Sequence, residues 1–123
     1  MKISTSFGEI TINGKRYEYD VVVKKDGTVL KRPKEISAKK KTTGHTPFTK
    51  EELEKILSDV GDVDVVVIGT GQSGALPIEE DVLLFLEQHD FSAFIATTPN
   101  AIFDFVELVK SGKNAVGIFH ITC

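Results

Sequence analysis

Three periods of hydrophobicity follow one another along this chain. The first third alternates. Phe7-Gly8-Glu9-Ile10-Thr11-Ile12 alternates from Glu9 onward, with Ile10 and Ile12 two residues apart, which suits a half-buried strand. Asn13-Gly14 follows, a dipeptide suited to a type I′ turn, and Tyr17-Glu18-Tyr19-Asp20-Val21-Val22-Val23 returns as a second strand. Asp26-Gly27 turns the chain again into Thr28-Val29-Leu30, and Pro33 closes that strand. The spacing therefore predicts an antiparallel meander, followed by an exposed loop or strand fragment over residues 34–46.

A helical period begins at Thr49. Thr49 and Glu52 have capping-box spacing, Phe48 can staple onto Leu53, and Leu53, Ile56, Leu57 and Val60 recur at i, i+3, i+4, i+7. Gly61 is the expected C-cap. The third period is a near-continuous run, Val63-Asp64-Val65-Val66-Val67-Ile68-Gly69, typical of a parallel strand covered on both faces. A second helix is expected from Pro77 to about His89, with Glu79, Glu80 and Asp81 in its first turn, where the helix dipole favours acids. Ser92-Ala93-Phe94-Ile95-Ala96-Thr97 reads as a second buried strand. Thr98 then caps a third helix with Pro99 at N1, and Ala115 to Ile121 forms the last strand.

Strands alternating with helices should lie parallel, joined by right-handed crossovers. The expectation is a three-layer β/β/α arrangement: the meander on one face of a mainly parallel sheet, the helices on the other. Residues 1–123 then form one domain, with the meander and basic loop in 1–46 and an αβαβαβ unit in 47–123.

Composition adds limits. Hydrophobic content of 41% and charged content of 27% are those of a folded chain rather than a disordered one. A single cysteine, Cys123, excludes an internal disulfide and points to a reducing compartment, with the cytoplasm expected. The longest β-branched run, Val65 to Ile68, is far too short to cross a bilayer, so no membrane partner is expected. The net charge of −3 divides unevenly: residues 1–50 carry twelve Lys or Arg against five Asp or Glu (+7), and residues 51–123 carry three against thirteen (−10). Most such charge serves solubility, but a basic face for an acidic partner is the functional alternative.

In open parallel sheets ligands bind beyond the carboxyl ends of the strands. That rule selects Gly69, Thr70, Gly71, Gln72 and Ser73, then Thr97 and Thr98, then His120, with His45 able to join from the loop ahead of the first helix. Gly69 to Gly74 matches G-x-G-x-x-G, but Pro77 places the helix after the glycines, the next strand ends in Thr97-Thr98 rather than an acid, and three acids occupy the helix start. A dinucleotide is therefore disfavoured against a tight glycine turn or a small polar ligand held by loop amides, and no cofactor is expected. Ser73 has no base fixed near it in the sequence. His120 and Cys123 are too few for structural zinc, so no metal is expected either. Arg32, Lys39, Lys40 and Lys41 form a candidate basic patch for an acidic partner, without the interleaved aromatics that would favour nucleic acid. Oligomeric state is not readable.

Several stretches carry a resemblance in their order and spacing: Phe7-Gly8 with Ile10, Ile12 and Gly14; Tyr17 and Asp20-Val21-Val22; Gly44-His45; Gly69-Thr70-Gly71; Thr97, Asn100 and Ala101; and His120-Ile121-Thr122-Cys123. Together they make the chain resemble the small family that includes the adipogenesis-associated domain protein and the mitochondrial assembly factor for respiratory complex I. The resemblance implies a three-layer β/β/α fold and an assembly or interaction role, and brings no catalytic residues with it. The expected function is a non-enzymatic binding or assembly-factor-like module with a protein partner. The alternative is a small-ligand-binding protein or enzyme using the strand-end cleft.

Overall fold

The computed structural model describes residues 1–41 and 45–123. Two sheets share the fold. The smaller is β1 (Ile3–Ser6), β2 (Glu9–Ile12) and β3 (Lys15–Tyr17), antiparallel throughout. The larger contains β4 (Val21–Lys24), β5 (Val29–Lys31), β6 (Val65–Thr70), β7 (Ser92–Ala96) and β8 (Ala115–His120), in the order β5-β4-β8-β6-β7. β6 pairs in parallel with both β7 and β8, and β4 runs antiparallel to β5 and β8. This is the expected three-layer α/β architecture around a mostly parallel sheet.

Local chemistry forms the elements as anticipated in most places. Asn13 and Gly14 both have positive φ, 50° and 87°, as a type I′ turn requires. The Thr49 side chain caps α1 (Lys50–Val60) by accepting the Glu52 amide at 3.2 Å. α2 (Glu80–Gln88) starts three residues after Pro77, and α3 (Thr98–Lys110) takes Thr97 as its N-cap, one residue earlier than its sequence suggests.

Five features depart from the sequence reading. A first strand, β1, precedes the alternating segment. Residues 17–23 are not one strand: the chain turns at Glu18–Asp20, and β3 and β4 enter different sheets. The reason is burial, because Val21, Val22 and Val23 are each at most 1% exposed and so need a strand covered on both faces. The helices also divide. Val66, Ile68, Val116 and Ile118 pack with α1 and α2 through Leu53, Ile56, Val82 and Leu86, whereas Val65, Val67 and Phe119 pack with Phe105 of α3 and with Ile10 and Ile12 of the small sheet. α3 and the meander therefore share one layer. β7 is an edge strand with exposed residues, not a buried one.

Finally, within residues 34–46, expected to be an exposed loop or strand fragment, Lys34–Lys40 form a 3-10 helix that packs on α1.

Candidate functional site

The carboxyl ends of β6 and β8 lie side by side, with Thr70 in register with His120. Ahead of them the chain builds a buried charge network. Arg32 is 2% exposed, and each of its three guanidinium nitrogens has a partner. Nε and Nη2 donate to Glu52 at 2.5 and 3.0 Å, Nη1 donates to Asp20 Oδ2 at 2.9 Å, and Nη2 reaches the Pro47 carbonyl at 3.3 Å. Its cationic face lies 5.7 Å from the centre of the Phe48 ring.

Glu52 was the expected capping-box glutamate. Its carboxylate instead accepts from Arg32 and, at 2.7 Å, from the Ser37 hydroxyl. Ser37 has one hydroxyl proton, so Thr49, 2.8 Å away, donates to Ser37 Oγ. The 3-10 segment, the α1 cap and Arg32 are thus joined through one carboxylate.

Asp20 is the other anchor. Oδ1 accepts the Ile121 amide at 2.9 Å, and Oδ2 accepts both Arg32 and, at 2.8 Å, His120 Nδ1. Burial pushes the Asp20 carboxyl up, but His120, the Ile121 amide and Arg32 together hold it below its ordinary value of 3.8. An ionised carboxylate can only accept, so Nδ1 of His120 carries the proton. Nε2 then points to Thr122 Oγ1 at 3.2 Å.

Since the folded pKa of Asp20 is depressed, its contribution to stability is complete above pH 3.8 and disappears as pH falls through the lower folded value. Urea midpoints measured across pH 2–5 should fall with acid in the wild type, and this component should be absent in Asp20→Asn.

Asp20, Arg32, Lys34, Lys41, His45, His120, Thr122 and Cys123 line one cavity of about 170 Å³. Five of these are basic residues, and Asp20 supplies the one side-chain carboxylate in the described lining. Of the residues anticipated from strand-end position, His45 and His120 meet here.

The others lie behind the cavity wall. The amides of Gln72, Ser73 and Ala75 donate to the carbonyls of Thr122 and Cys123 at 2.7, 3.2 and 2.9 Å, and the Ser73 hydroxyl also donates to the Cys123 carbonyl. Thr98 Oγ1 donates to the His120 carbonyl at 2.5 Å and accepts the Gly71 amide at 2.8 Å. Thr70 donates to the Ala96 carbonyl. A Cβ on Gly69 would stand 2.7 Å from Thr98 Oγ1. The glycine loop and Thr97-Thr98 therefore position residues 120–123 and do not line the cavity.

Arg32 does not belong to an exposed basic patch with Lys39, Lys40 and Lys41, because its charge is consumed by two buried carboxylates. Lys40 is also paired, with Glu79 at 3.0 Å. The Gly44 of the Gly44-His45 stretch lies outside the described residues. Among the described residues no group of three or more His, Cys, Asp or Glu side chains is placed to hold a metal ion, and no helix is long and apolar enough to cross a membrane.

Sequence reasoning missed Asp20 and Glu52 as site residues. A usable signal for Asp20 was present, since it stands where alternation gives way to a continuous valine run.

A family model described as "Protein of unknown function (DUF498/DUF598)" matches residues 3–120. Among solved structures, the chain is similar to the conserved hypothetical protein PH1505 from Pyrococcus horikoshii OT3, at 37% identity over 100% of both chains with a TM-score of 0.87. It is also similar to a protein designated MT938, at 34% identity over 98% of this chain and 97% of that one, with a TM-score of 0.79. A protein of Bartonella henselae described as an outer membrane protein shares the fold at 14% identity, covering 98% of this chain and 92% of that one, with a TM-score of 0.72.

Proposed function

We propose that this chain, which belongs to the DUF498/DUF598 family of proteins of unknown function, is a non-enzymatic binding module that holds a small anionic group, a carboxylate or phosphate, in the strand-end cavity. The observation that carries this reading is the gathering of Lys34, Lys41, His45 and His120 around a cavity whose one lining side-chain carboxylate, Asp20, is already committed to Arg32 and other partners within the fold. A pocket of about 170 Å³ accommodates a group of a few heavy atoms rather than a nucleotide. The resemblance to assembly factors supports an extension in which the anion is an acidic group carried by a partner protein. The single cysteine supports a reducing, cytoplasmic setting.

Phosphate and succinate titrations test the reading. Binding should move the imidazole resonances of His45 and His120, and ligand at a hundredfold over Kd should add about 2.7 kcal/mol, on the order of 10 °C in Tm. Lys41→Ala combined with His45→Ala should weaken binding while leaving Tm without ligand unchanged. If neither anion raises the midpoint or moves those resonances, the reading fails.

The Thr122–His120–Asp20 contacts favour a second reading, acyl transfer. Thr122 Oγ would attack a carbonyl carbon and pass its proton to His120 Nε2, which returns it to the leaving group. Hydrolysis of activated esters that is abolished in both Thr122→Val and His120→Gln would establish this reading over the first.

A further inference from the structure

β7 ends the five-stranded sheet, and no strand among the described residues pairs with its outer edge. Within a strand the N–H and C=O of one residue point to the same side, and successive residues alternate. The Ser92 amide donates inward to the Asp64 carbonyl and the Ala96 carbonyl accepts inward from Thr70, so the backbone groups of Ala93 and Ile95 face outward. Edge strands are usually protected by lysine, proline or a bulge. Ser92-Ala93-Phe94-Ile95-Ala96 has neither a charge nor a proline, and its pairing with β6 is regular over all five residues. Phe94 and Ile95 are 39% and 40% exposed, on opposite faces of the sheet.

The surroundings say what kind of segment fits. On the α3 side, Phe94 and Leu108 join Asp104, Glu107 and Ser111 around a shallow groove of about 190 Å³. Apolar walls with two carboxylates suit the methylene stem and cationic head of a lysine or arginine. α2 adds Glu80, Asp81 and Glu87 on the other face of the sheet. A two-fold pairing of β7 with a second copy would bring Asp104 and Glu107 of one molecule toward the same residues of the other, so this charge disfavours self-association there.

We propose that β7 receives an extended, basic segment of another protein as a sixth strand, with a Lys or Arg of that segment seated between Phe94, Leu108, Asp104 and Glu107. Main-chain hydrogen bonds to Ala93 and Ile95 hold the segment, and the acidic groove selects it. This site is separate from the strand-end cavity and stands whether or not that cavity binds an anion.

The probe is a ten-residue peptide alternating lysine and valine, with a glutamate–valine peptide of the same length as control, added to the full chain. Hydrogen exchange followed by NMR should show new protection at the Ala93 and Ile95 amides with the lysine peptide and none with the glutamate peptide. Asp104→Asn with Glu107→Gln should weaken binding roughly three- to tenfold, the effect of losing two partly exposed ion pairs, without changing Tm. Equal binding of both peptides, or protection only at other amides, would overturn the proposal. So would protection of these amides in the free protein that grows with its concentration, which would identify a second copy as the occupant.

Discussion

Arg32→Met should lower the unfolding free energy by about 3–5 kcal/mol, the usual cost of removing one partner from a buried ion pair. Asp20 and Glu52 would remain 6% and 0% exposed, each without the cation that offsets its desolvation. Burial works to lower the Arg32 pKa, but Glu52 and Asp20 together raise it, so the native guanidinium stays charged throughout the accessible pH range. Methionine fills comparable volume and can pack on Phe48, so the loss reports on charge rather than on a cavity. Chemical denaturation at neutral pH measures it. A double replacement, Arg32→Met with Glu52→Gln, should recover part of the loss, because the uncompensated charge at Glu52 is then gone. A single variant within 1 kcal/mol of wild type would show that the network is hydrated and contributes little.

Gly71→Ala carries the second large effect. Gly71 has φ +106°, a region that L side chains rarely adopt, and an added Cβ would fall on the Cys123 carbonyl carbon, 2.5 Å from its oxygen and 2.9 Å from His120 Cδ2. Backbone strain of about 1–3 kcal/mol and overpacking of about 1–3 kcal/mol add to a destabilisation of roughly 3 kcal/mol. The obstructing atoms are largely backbone, so the segment carrying His120 and Thr122 would have to move. The cavity should deform along with the stability loss, which the His120 ring resonances would register. By contrast, Gly74→Ala places its Cβ 3.4 Å from Thr97 Cγ2, an ordinary contact, and leaves only the penalty of its positive φ. A Gly71 variant no less stable than the Gly74 variant would contradict this account of the loop.

These two positions also show what could be read without coordinates. Gly71 was visible as part of a glycine-rich turn after a parallel strand, and the tight approach such a turn permits is what the fold uses. Which backbone approaches it was not visible, because the contact spans some fifty residues of sequence. Arg32 was read as a surface cation because arginine is mostly exposed and a lysine run follows it. Its burial depends on two carboxylates, 12 and 20 residues away, arriving from different elements. His45 and His120, named together as cleft candidates from the sequence, both line the cavity. Asp20, which orients His120 from 100 residues away, was not.

Local order came from the sequence by itself: the period-2 segment around Ile10 and Ile12, the Asn13-Gly14 turn, the Thr49 cap, the three helices and the parallel relation of β6, β7 and β8. Each of these depends on interactions within a few residues or on the handedness of a crossover, which chain chemistry imposes wherever the segment lies. Tertiary structure alone decided that β4 leaves the meander for the main sheet, that α3 packs on the meander's side, that β7 is an edge, and that Arg32 is consumed by Asp20 and Glu52. Those outcomes depend on which surfaces compete for burial once all elements are present. Such a competition is set by long-range packing, which no local period encodes.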